Sequence, residues 1–329
     1  MHGLFANSFT YVANLPSQSA AFIFADAGFD VWLGNGRGTK YGLNHTKYQP
    51  NDSQFWNYTI YEHSHYDLRQ QIEYVLEQTG QESLFYIGHS QGTAIMFARL
   101  AESNENWQKK INIFFALGPT AGFLKPVIPL NLLEFDFIQR LIQFILDGRF
   151  GLSPVSVPSE VTSIISKICS QSIFNHLCSA TVSITNGFEK MSQLNSTRIP
   201  IMISNFPDKT STLNLLHWVQ IFKYHQLQQL DLGIERNMMK YGQPTAPVFN
   251  ISNIVTPTVL FFSKDDIVTD EVDVKDIIIK NMGPGLEEYH DLDHFTHIDF
   301  VLGLRANDEV YKPIIYRIYE KLAKNGCKL

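Results

Sequence analysis

The chain has 329 residues, with 26 Lys and Arg, 32 Asp and Glu, and a formal net charge of −6. This acidic balance, without any block of basic residues, argues against nucleic acid as a partner. No apolar run reaches the roughly 18 residues of a membrane-spanning helix. A hydrophobic content of 44% is that of an ordinary globular protein, and the length predicts one domain with an insertion, or two domains.

Short apolar runs alternate with segments of helical periodicity along most of the chain. Leu68, Ile72 and Leu76, for example, repeat at the spacing of one helix face. The predicted elements, in chain order, are a strand at 29–33, a helix at 62–78, a strand at 84–88, a helix from 93, strands at 111–117, 258–262 and 288–290, and a closing helix at 308–324. Strands alternating with helices predict a mainly parallel sheet and an α/β fold.

The rhythm changes in the middle of the chain, at residues 122–254. This segment has a helical pattern, is punctuated by proline and is rich in aromatic residues, such as Phe135, Phe137, Phe144 and Phe150. We therefore interpret residues 122–254 as a helical cap, inserted into a core made of residues 1–121 and 255–329. Within the cap, residues 150–158 are apolar and broken by glycine and proline. They predict a non-helical stretch, either a movable gate or a buried connector between helices.

A glycine-rich stretch at residues 34–38 follows the first predicted strand. It lacks the spacing of a dinucleotide-binding loop, whose third glycine would fall at Thr39, and the Gly-Lys-Ser/Thr of a P-loop. A glycine turn is therefore the better interpretation, and no cofactor is predicted.

Ser90 lies in the sequence Gly88-His89-Ser90-Gln91-Gly92, between a predicted strand and a predicted helix. A glycine-flanked serine in that context predicts a nucleophile elbow, a turn so tight that side chains on the two glycines would clash. Ser90 would then lie at the carboxyl edge of the sheet, and the Gln91 N–H would point to where an oxyanion forms. The alternative is an ordinary strand-to-helix turn that happens to contain a serine.

Two further groups follow later strands in the chain order of an α/β-hydrolase triad. The strand at 258–262 leads into Asp265 and Asp266, and the last predicted strand leads into His294 and His297. Parallel strands gather functional side chains at their carboxyl ends. There a serine needs an imidazole to take its proton and a carboxylate to orient that imidazole. The order serine, aspartate, histidine therefore predicts an acyl-transfer site.

His290, His294 and His297 also have the look of a metal cluster, because aspartates flank them. The spacing of the first two suits a helix, whereas the segment is predicted to be a loop, and His297 is needed for the triad. No metal site is therefore predicted.

The signals for a cellular compartment conflict. The start of the chain has neither the charged region nor the cleavage site of a signal peptide. Sequons that accept glycans in secreted proteins nevertheless occur at Asn44, Asn51, Asn57, Asn195 and Asn250. Of the three cysteines, Cys169 and Cys178 lie close enough to be joined, which would leave Cys327 as a free thiol.

Four segments together resemble the acid lipase family, which includes gastric and lysosomal acid lipases. They are HGL at 2–4, DAGFDVWLGNGRG at 26–38, GHSQG at 88–92 and HIDF at 297–300. The resemblance runs over almost the whole chain. It implies an α/β-hydrolase core with a helical cap, which acts on neutral acylglycerols or sterol esters without a metal or a colipase.

The family pattern assigns roles to individual residues of this sequence. It implies that Ser90 is the nucleophile, Asp266 the acid of the triad and His297 its base. It also implies that the backbone amides of Leu4 and Gln91 form the oxyanion hole.

The family pattern further implies a cap disulfide between Cys169 and Cys178. Members of the family begin earlier, with a signal peptide and the first strands, and Met1 stands where the third strand is expected to end. Without that strand, the segments at 29–33 and 84–88 would lack their shared neighbour in the sheet. We therefore interpret the sequence as truncated at its N-terminus.

Two functional readings follow. The first is a serine hydrolase that cleaves triacylglycerols or sterol esters through an acyl-enzyme. The second is a catalytically silent fragment, or a lipid-binding relative. We expect a monomer that meets neutral lipid at a lipid–water interface and that, in its full length, is secreted or lysosomal.

Overall fold

The computed structural model describes residues 1–124, 140–141, 144–145, 152–184, 193–324 and 326. Phe135, Phe137, Phe150, Gly151 and Cys327, on which sequence predictions rest, lie outside the described residues. In the described part of the chain, every helix is too short or too polar to cross a bilayer.

The central sheet of the protein is parallel. The strands of the described residues are β1 (Leu84–His89), β2 (Ile111–Leu117), β3 (Pro154–Val155), β4 (Thr210–Ser211), β5 (Thr258–Phe262) and β6 (Leu286–Asp291). Four of them form this sheet, in the spatial order β1-β2-β5-β6. The parallel sheet confirms the predicted α/β fold, and four of the five predicted strands are present. Their carboxyl ends lie at one edge, because the register aligns His89 with Leu117 and Leu117 with Phe261.

Helices connect these strands. The helical segments of the described residues, including short 3-10 and π-helical turns, are Ser8–Val12, Pro16–Gln18, Ala20–Asp26, Ser53–Trp56, Ile60–Glu62, His63–Leu68, Arg69–Thr79, Gln91–Glu102, Glu105–Gln108, Ser159–Cys169, Ser172–Ile184, Ser196–Arg198, Ile199–Asn205, Thr212–Tyr224, Ile234–Tyr241, Ile251–Asn253, Glu271–Asp273, Val274–Ile279, Asp299–Leu302, Asn307–Tyr311 and Lys312–Lys324. The helices predicted at 62–78, from 93 and at 308–324 are confirmed. The first of these ends at Gly80, whose φ of 66° suits a residue without a side chain.

The sheet separates two layers of buried apolar side chains. Along β2, Phe114 and Ala116 face the cluster that contains Ile95 and Phe97 of the helix Gln91–Glu102. Ile113, Phe115 and Leu117 face the opposite cluster, which includes residues of the closing helix. Side chains that alternate between two covered faces explain why residues 113–117 of β2 form an unbroken apolar run.

The predicted strand at 29–33 is absent, which corrects the sequence interpretation. Its residues are assigned to no strand and form no ladder with another strand of the described chain. A strand requires a hydrogen-bonded neighbour. β1 stands at the end of the strand order, and Met1 is a further backbone partner for it. The Met1 ammonium donates to Ile87 O over 2.6 Å, and Met1 O accepts from the His89 N–H over 3.0 Å.

The disulfide predicted within the cap is present. Cys169 and Cys178 are bonded, with a Cα–Cα distance of 5.8 Å, and they join two consecutive helices. Residues 152–158 are non-helical as predicted, and β3 within them pairs antiparallel with β4. Among the cap's described residues, β3 and β4 are the segments assigned as strands. The sequence had shown no convincing buried strand in the cap.

Candidate active site

Ser90 occupies a sharp turn between β1 and the helix that follows. Its φ of 53° and ψ of −120° lie outside the regions that a residue with a side chain prefers. The turn is fixed because the Ser90 N–H donates to Leu117 O over 3.0 Å, and Ser90 O accepts from the Thr93 N–H and hydroxyl. Such a strained strand–serine–helix turn is the geometry of a nucleophile elbow.

The two glycines that flank Ser90 are required by close backbone contacts. A Cβ at Gly88 would lie 2.8 Å from Gly92 O, and a Cβ at Gly92 would lie 2.4 Å from Met1 O. Both distances are shorter than carbon–oxygen contact allows. The steric argument made from the sequence is therefore confirmed.

Asp266 and His297 form a buried pair at the same edge of the sheet. His297 Nδ1 lies 2.8 Å from Asp266 Oδ2, and both residues are buried. Asp266 also accepts hydrogen bonds from Val268 N, Thr269 N and the Thr269 hydroxyl. A carboxylate with this many donors is held in one orientation, so it can orient an imidazole.

Among the residues that the structure describes, the second ring nitrogen of His297 has no partner. His297 Nε2 is buried and forms no hydrogen bond with the residues that the structure describes. Ser90 Oγ is likewise unbonded among them, and contacts between nucleophile and base are often looser in a free enzyme than in a complex. His89 couples the elbow to this imidazole, because its Nε2 donates to His297 O over 2.8 Å.

Gly118 makes room for the pair, a role that the sequence did not reveal. It ends the turn after β2 with a φ of 54°. A Cβ there would lie 3.1 Å from His297 Cε1 and 3.4 Å from Asp266 Oδ2. A side chain at this position would press directly on the pair.

The alternative residues Asp265 and His294 lie apart from this pair. His294 has a side chain that is 60% exposed, and its Nδ1 lies 3.4 Å from Asp265 Oδ2. His290 pairs with Glu288 instead. The three histidines near the end of β6 thus face three different carboxylates, and no group of three potential metal ligands occurs in the described chain.

The segment that carries Leu4 lies against Ser90, and Gln91 directly follows Ser90 in the chain. A Cβ at Gly3, the residue before Leu4, would lie 3.0 Å from Ser90 Cβ and 3.5 Å from its Oγ. Neither the Leu4 N–H nor the Gln91 N–H donates to another described residue. Both amides are therefore available to a ligand among the described residues, and their role in an oxyanion hole stays a prediction.

His2 anchors the segment that carries Leu4. Its Nδ1 donates to Gly3 O over 2.9 Å, and its Nε2 accepts from the Gly36 N–H over 3.0 Å. Burial lowers the pKa of His2 to about 3, so the ring stays neutral and keeps this tautomer. The glycine-rich stretch at 34–38 therefore serves close packing, in agreement with the predicted turn. A Cβ at Gly36 would lie 2.9 Å from His63 Cε1.

The cap contacts the elbow through Gln91, which the sequence did not predict. Gln91 Oε1 accepts hydrogen bonds from Asn214 Nδ2 over 2.8 Å and from Trp218 Nε1 over 2.7 Å. All three residues are buried. The four-residue spacing of Asn214 and Trp218 on one apolar helix was the signal available in the sequence.

Buried neutral histidines predict a loss of stability in acid. Burial, followed by the charge of Lys240, lowers the pKa of His217 from its ordinary 6.5 to about 4, although its bond to Gln228 O opposes the shift. Between these two pH values the unfolded chain binds a proton that the folded protein refuses, so the free energy of unfolding falls as the pH is lowered. We expect His217 to account for a loss of about 3 kcal/mol between pH 7 and pH 4.

Urea unfolding of His217→Gln across this range should therefore show a flatter pH dependence than the wild type. Gln at this position keeps a donor for Gln228 O but does not titrate. The exposed His45 is the matched control, and His45→Gln should leave the slope unchanged. Equal slopes in His217→Gln and the wild type would contradict the prediction.

Comparison with known proteins agrees with this geometry. Residues 1–151 match the family described as alpha/beta hydrolase fold. Lipase lipl-1 of Caenorhabditis elegans is 39% identical over 323 residues, which cover 95% of this chain and 78% of that lipase. Gastric triacylglycerol lipase of Homo sapiens is 34% identical over 320 residues, or 97% and 78% of the two chains. A solved structure of a soluble monoglyceride lipase variant from Saccharomyces cerevisiae superposes with a TM-score of 0.54 at 14% identity, over 98% of this chain and 84% of that one.

The parallel sheet, the serine elbow and the family match together define an α/β hydrolase. The lipases reported above share more than 30% of their residues with this chain over nearly all of its length. The chain belongs to the acid lipase family.

Proposed function

We propose that the protein hydrolyses carboxylic esters of neutral lipids, triacylglycerols or sterol esters, through an acyl-enzyme on Ser90. The observation that carries the proposal is the buried Asp266–His297 pair at the sheet edge where Ser90 occupies its strained turn. The family membership supports an ester of lipid character as the substrate. The residue roles implied by the sequence resemblance are retained in this proposal.

In the first half of the reaction, Ser90 Oγ attacks the carbonyl carbon while its proton passes to His297 Nε2. The resulting oxyanion accepts hydrogen bonds from the Leu4 and Gln91 amides. Asp266 stabilises the imidazolium without taking its proton. The bond from the carbonyl carbon to the alcohol oxygen then breaks, and His297 returns the proton to the departing alcohol.

In the second half, water attacks the acyl carbon and gives a proton to His297. The bond to Ser90 Oγ breaks, the serine regains the proton, and the fatty acid leaves. A neutral imidazole is needed at the start of both halves. The donation from His89 to His297 O supports that ring position without using either ring nitrogen of His297.

An exposed aliphatic face on the cap supports contact with a lipid surface. Val161, Ile164, Ile165 and Ile168 repeat at helical spacing on Ser159–Cys169, and each is more than 40% exposed. On the next helix, Ile173 is 83% and Leu177 is 66% exposed. The disulfide between Cys169 and Cys178 joins the two helices that carry these residues. Exposing these apolar side chains to water lowers the stability of the protein. Contact with a lipid–water interface offsets that cost.

Secretion or delivery to the lysosome is part of the same proposal, because glycans and a disulfide belong to those compartments. Four sequons carry exposed asparagines, namely Asn44, Asn51, Asn57 and Asn250. Asn195 is half-buried, and its Nδ2 donates to Gln18 Oε1 over 2.8 Å. A glycan on that nitrogen would displace this hydrogen bond, so Asn195 is the weakest of the five candidates.

Activity on a partly soluble ester tests the substrate class. With tributyrin, we expect the rate of hydrolysis to rise sharply once the ester passes its solubility limit, because the aliphatic face can then bind to the surface of the ester droplets. The double variant Ile173→Ser/Leu177→Ser should lose roughly tenfold of its rate on emulsion while its rate on soluble 4-nitrophenyl butyrate stays the same. The measurement is titration of released acid above and below the solubility limit.

Met239→Ser is the matched control, since Met239 is 79% exposed on another helix and its loss should not change either rate. Smooth saturation through the solubility limit would contradict an interfacial substrate. A protein that binds the emulsion but releases no acid would favour the silent, lipid-binding alternative.

A further inference from the structure

The residues proposed to form the oxyanion hole are held by one short segment of the cap. This segment comprises residues 208–218 and is called the cap clamp below. One end of the cap clamp contacts Gln91, and the other contacts Phe5, the residue after Leu4. The two contacts are independent of each other and of the Asp266–His297 pair.

At Gln91, the cap clamp supplies two donors to a single acceptor. Asn214 and Trp218 lie one helical turn apart, so both side chains point from the same face of Thr212–Tyr224. Both donors hold the Gln91 side chain in one position. Gln91 begins the helix after the elbow, so this contact restrains the residue whose backbone N–H is proposed to face the oxyanion.

The cap clamp is itself firmly anchored. Asn214 Nδ2 also donates to Thr210 Oγ1 over 3.0 Å, and its backbone N–H donates to Ser211 Oγ over 2.9 Å. Ser211 is fully buried, and its hydroxyl donates to Tyr58 O in the core over 2.6 Å. The donors that contact Gln91 are therefore set by the core as well as by the cap.

At the other end, Asp208 fixes the loop that carries Leu4. Its backbone N–H donates to Phe5 O over 2.6 Å. Its carboxylate accepts from Asn7 Nδ2 over 2.7 Å and from the Lys40 N–H. Phe5 has a φ of 59°, a conformation that a residue with a side chain keeps only when its surroundings impose it. Asp208 and Asn7, both buried, provide that constraint.

We propose that Asp208, Asn214 and Trp218 are positioning residues that set the two oxyanion amides. This proposal rests on the function proposed above. The cap clamp touches neither Asp266 nor His297 by any hydrogen bond recorded among the described residues. It therefore acts on the charge that develops on the substrate oxygen and leaves the proton transfers of the triad intact.

Trp218→Phe is the central test, because it removes the donated N–H and keeps a ring to pack against Phe123. With soluble 4-nitrophenyl butyrate, we expect kcat to fall about 10- to 100-fold with KM within twofold of the wild type. A trifluoromethyl ketone, which adds to the serine and places an oxyanion in the hole, should lose affinity by the same factor. Asp208→Ala keeps the backbone N–H that contacts Phe5 but removes the carboxylate that holds Asn7 and Lys40, and it should show the same pattern.

Trp107→Phe is the matched control, since its indole N–H contacts Glu73 away from the site, and it should keep kcat and ketone affinity within twofold. A folded Trp218→Phe with unchanged kcat and ketone affinity would overturn the proposal. If Trp218→Phe does not fold, Gln91→Met is the substitute, because it removes the oxygen that accepts the hydrogen bonds from Asn214 and Trp218. The same fall in kcat and in ketone affinity is expected, and unchanged values would overturn the proposal. A wild type that hydrolyses no ester and takes no phosphonate label would contradict the proposed function and the clamp together, whereas an active wild type with unaffected variants contradicts the clamp alone.

Discussion

Replacing Ser90 by Ala is expected to reduce ester hydrolysis by roughly 10⁴- to 10⁶-fold, because no other group can form the acyl-enzyme. A fluorophosphonate probe should label the wild type at Ser90 and leave the variant unlabelled. The fold should be retained, because the turn at Ser90 is held by its backbone N–H and carbonyl groups. The measurements are kcat on 4-nitrophenyl butyrate and mass spectrometry of the labelled peptide.

Ser83→Ala is the matched control, since Ser83 lies just before β1, at its opposite end from Ser90. It should keep full activity and labelling. Hydrolysis that persists undiminished in Ser90→Ala would disprove the nucleophile assignment. A wild type that resists the probe would favour the silent alternative.

Replacing His297 by Ala is expected to cost about 10⁴-fold in kcat, because Ser90 then has no base for its proton. His294→Ala should change kcat by less than threefold. The structure gives the reason, since His297 is buried against Asp266 whereas His294 is exposed beside Asp265. Thermal unfolding of both variants checks that the difference does not arise from stability.

Asp266→Asn and Asp265→Asn repeat this comparison from the side of the carboxylates. Asn at 266 keeps the shape, but the N–H groups of Val268 and Thr269 hold its amide oxygen, so its NH2 faces His297 Nδ1. That arrangement stabilises the wrong imidazole tautomer, so kcat should fall by orders of magnitude. Asn at 265 should be mild. If His294 and Asp265 proved to be the sensitive positions, the working pair would be the exposed one.

Local sequence was sufficient wherever the deciding contacts lie close along the chain. The elbow is an example, because Ser90 turns between the two glycines and a Cβ at Gly88 would collide with Gly92 O only four residues on. The predicted strands at 111–117 and 258–262 were found for a related reason. A run of apolar residues this short, bounded by turn residues, is stable only when both faces are covered.

The strand predicted at 29–33 failed because strand formation is not a local property. Its apolar, β-branched and aromatic composition satisfies every local rule. The missing element is a hydrogen-bonded neighbour, and no pattern within residues 29–33 records whether one is present. The same limit applies to the choice between Asp265 and Asp266, which are adjacent in sequence and differ only in which histidine each one meets.

The sequence by itself determined the α/β fold, the elbow at Ser90 and the family, because each is encoded in short segments whose spacing is fixed by backbone geometry. Only the tertiary structure supplied the contact between Asp266 and His297, which the family resemblance implied and local sequence did not. It alone supplied the space that Gly118 leaves for this pair and the hydrogen bond from Trp218 to Gln91. These contacts join residues 31 and 127 positions apart in the two hydrogen-bonded pairs. Contacts at such separations depend on how whole elements pack, and a single sequence carries no local signal for packing across that distance.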